Sequence, residues 1–235
     1  MRPPPIHLSL TEAWRTLADL ASLPFSYQAL SNAPEGDGHP VLVLPGFMAT
    51  DGSTYPLREF IRSKGYSVFE WGLGRNLGPT AIGLDGSKLR KRFNQIADST
   101  KGKISLVGWS LGGVMARELA KERPESVRQV ITLGSPFKNG KTASHVWHMY
   151  KYFAGHVPDD SIIEQMANPP SVPCTSIYTK ADGVVHWESC LETISPTTDN
   201  IEIAAAHCGL GFNASAWVII AKKLAMADGR WKKLT

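Results

Sequence analysis

Three residue types that together perform nucleophilic catalysis fall at comparable places along this sequence. Gly108-Trp109-Ser110-Leu111-Gly112 is a Gly-x-Ser-x-Gly pentapeptide, and alone it is a weak signal. Its setting is more specific. An apolar run, Ile104-Ser105-Leu106-Val107, stops just before it, and a helix-forming run beginning Leu111-Gly112-Gly113-Val114 starts within it. A strand–turn–helix junction of this kind holds a serine in a strained turn, and glycines two positions to either side let strand and helix approach. The helix N-terminus then offers free N–H groups to a developing oxyanion. A serine hydroxyl needs a base, and the base needs an orienting carboxylate. Asp182 follows the run Ser176-Ile177-Tyr178-Thr179, in the turn Lys180-Ala181-Asp182-Gly183, and His207 follows Ile201-Glu202-Ile203-Ala204. Open parallel sheets bind ligands beyond the carboxyl ends of their strands, so the order Ser110, Asp182, His207 predicts a triad on one sheet edge. A lone aspartate after a strand is usually a turn residue, and a lone histidine usually surface or satisfied core. It is the three types at three strand ends that favour catalysis.

Acyl transfer also needs two oxyanion donors. The N–H of Leu111, directly after the serine, is one candidate. The loop Leu44-Pro45-Gly46-Phe47-Met48 leaves an apolar run and could supply the other from Phe47, although the same residues suit a plain strand-to-helix turn. Asp51 and Ser53 read as caps of the following helix. The remaining histidines fit less well. His39 and also Asp199 precede strands, at the opposite edge; His186 shares the loop of Asp182 and would line the entrance. His145, His148 and His156 belong to a long connection.

The elements that must position these residues alternate. A first helix is expected over 9–22, with Ser9 and Glu12 as a capping box and Leu10, Ala13, Trp14, Leu17, Leu20 and Ala21 at helical spacing. Pro24 ends it, and Asn32–Gly38 is turn-rich. Strands are expected at 41–44, 66–71, 103–108, 127–133, 174–179 and 200–204, and helices near 53–64, 87–99, 111–122 and 214–227. Short, nearly continuous apolar strands alternating with helices imply an α/β fold, a mostly parallel sheet covered on both faces. The stretch 138–172 has no strand and carries His145-Val146-Trp147-His148-Met149-Tyr150-Lys151-Tyr152-Phe153. A connection longer than about 15 residues has a function or structure of its own, so a small helical cap inserted in a single 1–235 domain is expected; an ordinary crossover helix is the alternative. Trp147, Tyr150 and Phe153, with Met48, Trp109 and Val185, would then line an apolar pocket, and the cap could touch a lipid interface.

Composition excludes other classes. The 235 residues are 43% hydrophobic and 20% charged, enough apolar material for a core. The net charge of +4 is scattered. Its densest group, Lys88-Leu89-Arg90-Lys91-Arg92, continues through Phe93 and Ile96 as the wet side of a helix, so no nucleic-acid partner is expected. No apolar run approaches the roughly 18 residues of a membrane span, and Met1-Arg2-Pro3-Pro4-Pro5 lacks a signal-like apolar region. A soluble, cytoplasmic protein is expected, a processed secreted form being compatible too. Three cysteines make no disulfide framework and no zinc spacing, so neither metal nor cofactor is expected.

With these residues assembled, the chain from Val41 to the last helix resembles the α/β-hydrolases of the bacterial lipase and esterase kind. The resemblance rests on Leu44-Pro45-Gly46-Phe47, the Ser110 pentapeptide, Gly134-Ser135-Pro136, Asp182-Gly183-Val184-Val185 and His207-Cys208-Gly209-Leu210. Many lipases carry His-Gly where this chain has Pro45-Gly46; the backbone donor does not depend on that side chain. The resemblance implies ester hydrolysis without metal or cofactor, on a small-molecule ester. An acyltransferase or thioesterase would use the same triad, and a non-catalytic binding protein the same fold. A triad would also bring Cys190 and Cys208 close, as a disulfide bracing acid and base or as two buried thiols.

Overall fold

The computed structural model describes residues 3–138 and 160–234. Six parallel strands form one sheet: β1 Pro40–Leu44, β2 Ser67–Glu70, β3 Ile104–Trp109, β4 Val127–Leu133, β5 Cys174–Tyr178 and β6 Thr198–Glu202, in the order β2-β1-β3-β4-β5-β6. Every residue of β1, β3 and β4 is buried, as a sheet covered on both faces requires. Alternate side chains feed two cores. Val41, Val43, Val107 and Ile131 pack with Leu57, Phe60, Trp217 and Ile220, from helices α3 (Asp51–Ser63) and α8 (Ala214–Leu224). Leu42, Leu44, Leu106 and Val130 pack with Phe93, Ile96, Met115 and Leu119, from α5 (Ser87–Ser99) and α6 (Leu111–Glu122). The strand order reverses direction between β1 and β3, whose Leu44 and Gly108 are paired, so the loops leaving both strands open into one crevice.

The expected elements are present, with shifted ends. Strand β6 begins at Thr198 rather than residue 200, so Asp199 lies inside it, 2.7 Å from the Lys223 ammonium of α8, instead of preceding it. A short helix, α4 (Pro79–Ile82), interrupts the Gly-rich loop after β2, and α2 (Tyr27–Ser31) follows Pro24. Asp51 is no N-cap. Its carboxylate accepts the N–H groups of Trp71 (3.0 Å) and Gly72 (3.1 Å), tying the start of α3 to the exit of β2. Helix α7 (Asp160–Ala167) falls within the stretch expected to form a cap. Trp147, Tyr150 and Phe153, with His145, His148 and His156, lie outside the described residues.

The first helix is corrected most. Helix α1 runs Ile6–Ser22 with no side-chain cap, so Ser9 and Glu12 form no capping box. Its apolar stripe faces water: Leu10 and Trp14 are 75% exposed and Leu17 54%, while Glu12 is buried. The helical spacing is real, but the inward side is the polar one, because what it meets is loop backbone.

Behind the sheet, a buried ion pair fixes the ends of the long connection. Arg117 of α6 and Glu192 are both fully buried and bonded to each other. The Arg117 guanidinium also donates to the Asn168 carbonyl at 3.0 Å and lies 3.7 Å above the Phe137 ring. Burial raises the Glu192 carboxyl, against the pull of Arg117. Removing one partner strands a charge in the core, which costs about 3–5 kcal/mol, whereas replacing both by apolar groups is near neutral. Urea unfolding should show Arg117→Met destabilised by that amount, and Arg117→Met/Glu192→Leu recovering most of the loss.

Candidate active site

Ser110 joins β3 to α6 with φ 52° and ψ −121°, and its own N–H donates to the Leu133 carbonyl at 2.8 Å. Among the described residues only Ser110 and Met48 are non-glycines with positive φ, and both lie on loops of the crevice. The turn is possible because strand and helix nearly touch. A Cβ on Gly108 would lie 2.3 Å from the Gly113 Cα, and one on Gly112 2.4 Å from the Leu44 carbonyl oxygen. The three residues expected to cooperate are brought together. His207 Nε2 is 3.0 Å from Ser110 Oγ, and His207 Nδ1 is 2.6 Å from Asp182 Oδ2. Asp182 and His207 are only 2% and 4% exposed. The other Asp182 oxygen accepts the N–H groups of Val184 (2.8 Å) and Val185 (2.7 Å), which orients the carboxylate.

Burial pulls the His207 imidazole down, but the charge and hydrogen bond of Asp182, with a smaller push from Glu12, more than offset it, so the net shift is upward. Gly134, at φ +54°, closes the space behind the pair: a Cβ there would come within 3.1 Å of His207 Nδ1 and 2.7 Å of Leu210.

The loop after β1 runs against the serine, a Gly46 Cβ lying 3.3 Å from Ser110 Cβ. Asn76, fully buried, pins this loop. Its side chain donates to the Pro45 carbonyl at 2.8 Å, its backbone carbonyl accepts the Met48 N–H at 2.7 Å, and its backbone N–H donates to the Ala49 carbonyl at 2.8 Å. The Met48 amide is therefore engaged within the loop, and Leu111, the residue after the serine, opens α6. Trp109 is largely buried behind the serine turn. Its indole is in the core, donates to the His207 carbonyl at 3.1 Å and stands edge-on to Phe212. Val185 is buried beside Asp182, and Met48 is partly exposed on the loop after β1. No disulfide braces the site: Cys190 is a buried free thiol and Cys208 an exposed one. Among the described residues, no group of three or more His, Cys, Asp or Glu side chains is placed to hold a metal ion.

A second Ser–His–Asp array shows what the first has in addition. His39 Nε2 is 2.8 Å from Ser105 Oγ and its Nδ1 2.5 Å from Asp37. Ser105 is completely buried near the start of β3, however, beside a register shift against β4, with no positive φ and no helix N-terminus beside it. Burial lowers the His39 imidazole, and Arg128 holds Asp37 at 2.8 Å. This array has the bonds of a triad and no access for a substrate. Sequence reading set His39 aside by its edge of the sheet. It missed Asn76, Glu12 and Asp19; only the polar stripe Ser9, Glu12, Thr16 and Asp19 at helical spacing hinted at the last two.

No family model matches the sequence. A stretch of 47 residues, 20% of this chain, is 38% identical to the biotin biosynthesis bifunctional protein BioHC of Teredinibacter turnerae, and the match spans 8% of that protein's length. Similar solved structures are broader in coverage. Aspergillus fumigatus lipase B matches at TM-score 0.63 and 18% identity, over 86% of this chain and 54% of that one. A structure of the metagenome-derived lipolytic enzymes LipS and LipT matches at 0.61 and 15%, over 82% and 94%. The thioesterase domain from the curacin biosynthetic pathway matches at 0.56 and 13%, over 80% and 92%. With its six-stranded parallel sheet and its serine turn, the chain has the α/β-hydrolase fold.

The site makes a prediction independent of any substrate. A carboxylate partner favours the imidazolium, so NMR titration of His207 in Ser110→Ala should give a pKa above the ordinary value of about 6.5. In Ser110→Ala/Asp182→Asn only burial and Glu12 remain; burial is the larger, and the pKa should fall below that value.

Proposed function

We propose that the chain is a serine carboxylic ester hydrolase. The observation that carries this reading is the hydrogen-bonded series Ser110–His207–Asp182, with the serine at positive φ on the N-terminus of α6. Ser110 Oγ attacks the ester carbonyl while His207 Nε2 takes its proton, and Asp182 holds the imidazolium that forms. The negative charge moves to the carbonyl oxygen, which receives the N–H groups of Leu111 and Phe47. Collapse of the tetrahedral species breaks the bond to the alkoxide, to which His207 returns the proton. Water, deprotonated by His207, then releases the carboxylic acid from the acyl-serine. A cap built from 138–172, with Trp147, Tyr150 and Phe153, would favour apolar acyl or aromatic esters over charged ones. The likeness to a thioesterase domain and to lipolytic enzymes alike is a likeness of fold; a thioester would enter the same steps with a thiolate leaving group.

The wild type should form one adduct with a fluorophosphonate, read by intact mass, and should hydrolyse p-nitrophenyl butyrate or palmitate. Ser110→Ala should show no adduct and a kcat lower by about 10⁴-fold or more, and Asp182→Asn a loss of about 10⁴-fold with labelling slowed. Because the base must be neutral, kcat/KM should rise with pH through one ionisation lying above about 6.5. A folded wild type that neither labels nor turns over either ester would overturn the assignment. Products formed in the presence of added alcohols separate hydrolysis from acyl transfer.

A further inference from the structure

Glu12 lies in the middle of α1, far in sequence from every residue of the triad, yet it is 8% exposed and aims both oxygens at the loops of the acid and the base. Its Oε2 accepts the N–H of Gly183, the residue after Asp182, at 3.1 Å. Its Oε1 accepts the N–H of Cys208, the residue after His207, at 2.8 Å. Neighbours on the same side of the helix complete the grip. Ser9 donates to the Gly183 carbonyl at 2.6 Å, and Arg15 donates both to the Ala181 carbonyl at 2.5 Å and to Glu12 at 2.9 Å. Asp19 accepts the N–H of Ala206, the residue before His207, at 2.9 Å, and the Asn213 amide at 2.8 Å. The residues on either side of Asp182 and of His207 are therefore each bonded to α1. The approach is close enough to demand glycine. A Cβ on Gly183 would lie 2.5 Å from the Leu8 carbonyl oxygen, and one on Gly209 1.9 Å from Asp19 Oδ2.

We propose that Glu12 is a positioning residue for the reaction assigned to Ser110: its carboxylate joins the acid loop to the base loop and keeps Asp182 and His207 in register. This rests on the hydrolase reading for its kinetic consequences, while the clasp itself is a matter of geometry. A carboxylate suits the place because it offers two acceptors on one rigid plane, one for each loop. It also adds charge. Asp182 and Ser110 are bonded to the two ring nitrogens of His207, Glu12 adds its charge from α1, and Arg15, Asp19 and Cys208 lie along the flanking loop backbone. Of these, Glu12 supports the imidazolium in addition to Asp182.

The test uses the full chain. Glu12→Gln preserves shape but turns an NH₂ group toward one of the two backbone donors and removes the charge. Fluorophosphonate labelling and kcat should both fall about 10- to 100-fold, the range for losing a group that orients a catalytic one, with KM within twofold of wild type. The acid limb of the kcat/KM profile should move to lower pH, by about half a unit, because less negative charge favours the neutral imidazole. Glu12→Asp keeps the charge and shortens the reach; it should lose rate and keep the wild-type acid limb, and it stands in if Glu12→Gln does not fold. A folded Glu12→Gln with wild-type labelling, or one slowed with its acid limb unmoved, would overturn the proposal. If the wild type has no esterase activity, the His207 ring resonances in Ser110→Ala still decide: a lower pKa on adding Glu12→Gln supports the clasp, and an unchanged one overturns it.

Discussion

The contact on which the rest of the molecule depends is the approach of α6 to the end of β3. Gly108 and Gly113 are close enough that neither tolerates a side chain, and Gly112 presses on the backbone leaving β1. That closeness bends the chain at Ser110 into positive φ and lifts its hydroxyl above the sheet edge. It also places the β1 loop beside the serine, since β1 and β3 are paired neighbours at the point where strand order reverses. Backbone strain of this kind costs on the order of 1–3 kcal/mol and persists only where the surroundings over-determine it. Here two cores and the pinned Asn76 loop do so.

Charge is handled in two different ways. At the crevice, Asp182 is buried but satisfied on both oxygens, by His207 and by two backbone N–H groups, so its orientation is fixed without a counter-cation. Away from it, Arg117–Glu192 and Lys223–Asp199 are paired directly, and each fastens a helix to a strand or loop. The Ser105–His39–Asp37 series belongs to this second class. It binds the entrance of β1 to β3 and to Arg128, with hydrogen-bond geometry close to that of the triad. The two series differ in access and backbone conformation, not in residue types or bond lengths.

Much of this was legible in the sequence because it follows from periodicity and local chemistry. Short, nearly continuous apolar runs that alternate with helical patterns and turn signals fit doubly covered strands, and Gly-x-Ser-x-Gly between such a run and a helix has one common structural solution. The placement of Asp182 and His207 after strands followed from the same logic, as did setting aside His39. What was not legible is which side of an amphipathic helix faces inward when its partners are not side chains. Leu10, Trp14 and Leu17 form as regular a stripe as Ser9, Glu12 and Asp19, and burial ordinarily selects the apolar one. Loop backbone with unpaired N–H groups selects carboxylates instead, and no local pattern announces it. For the same reason Asn76, whose side chain and backbone together bond three loop residues, carries no signature in sequence. Cys190 and Cys208 illustrate a further limit, because nearness of two loops does not align two thiols.

The grip of α1 on the crevice loops joins parts of the chain 171 and 196 residues apart. At ribosomal rates of about 5–20 residues per second, the helix emerges roughly 10–40 s before the segments it holds. Meanwhile its carboxylates have only water to bond, and contacts of such long sequence separation are the last and slowest to close. The serine turn needs only β1, β3, β4 and α6, all synthesised earlier. During synthesis the chain therefore holds the Ser110 turn for some time before His207 arrives, and docking of α1 onto the loops of Asp182 and His207 is the step that ends this interval.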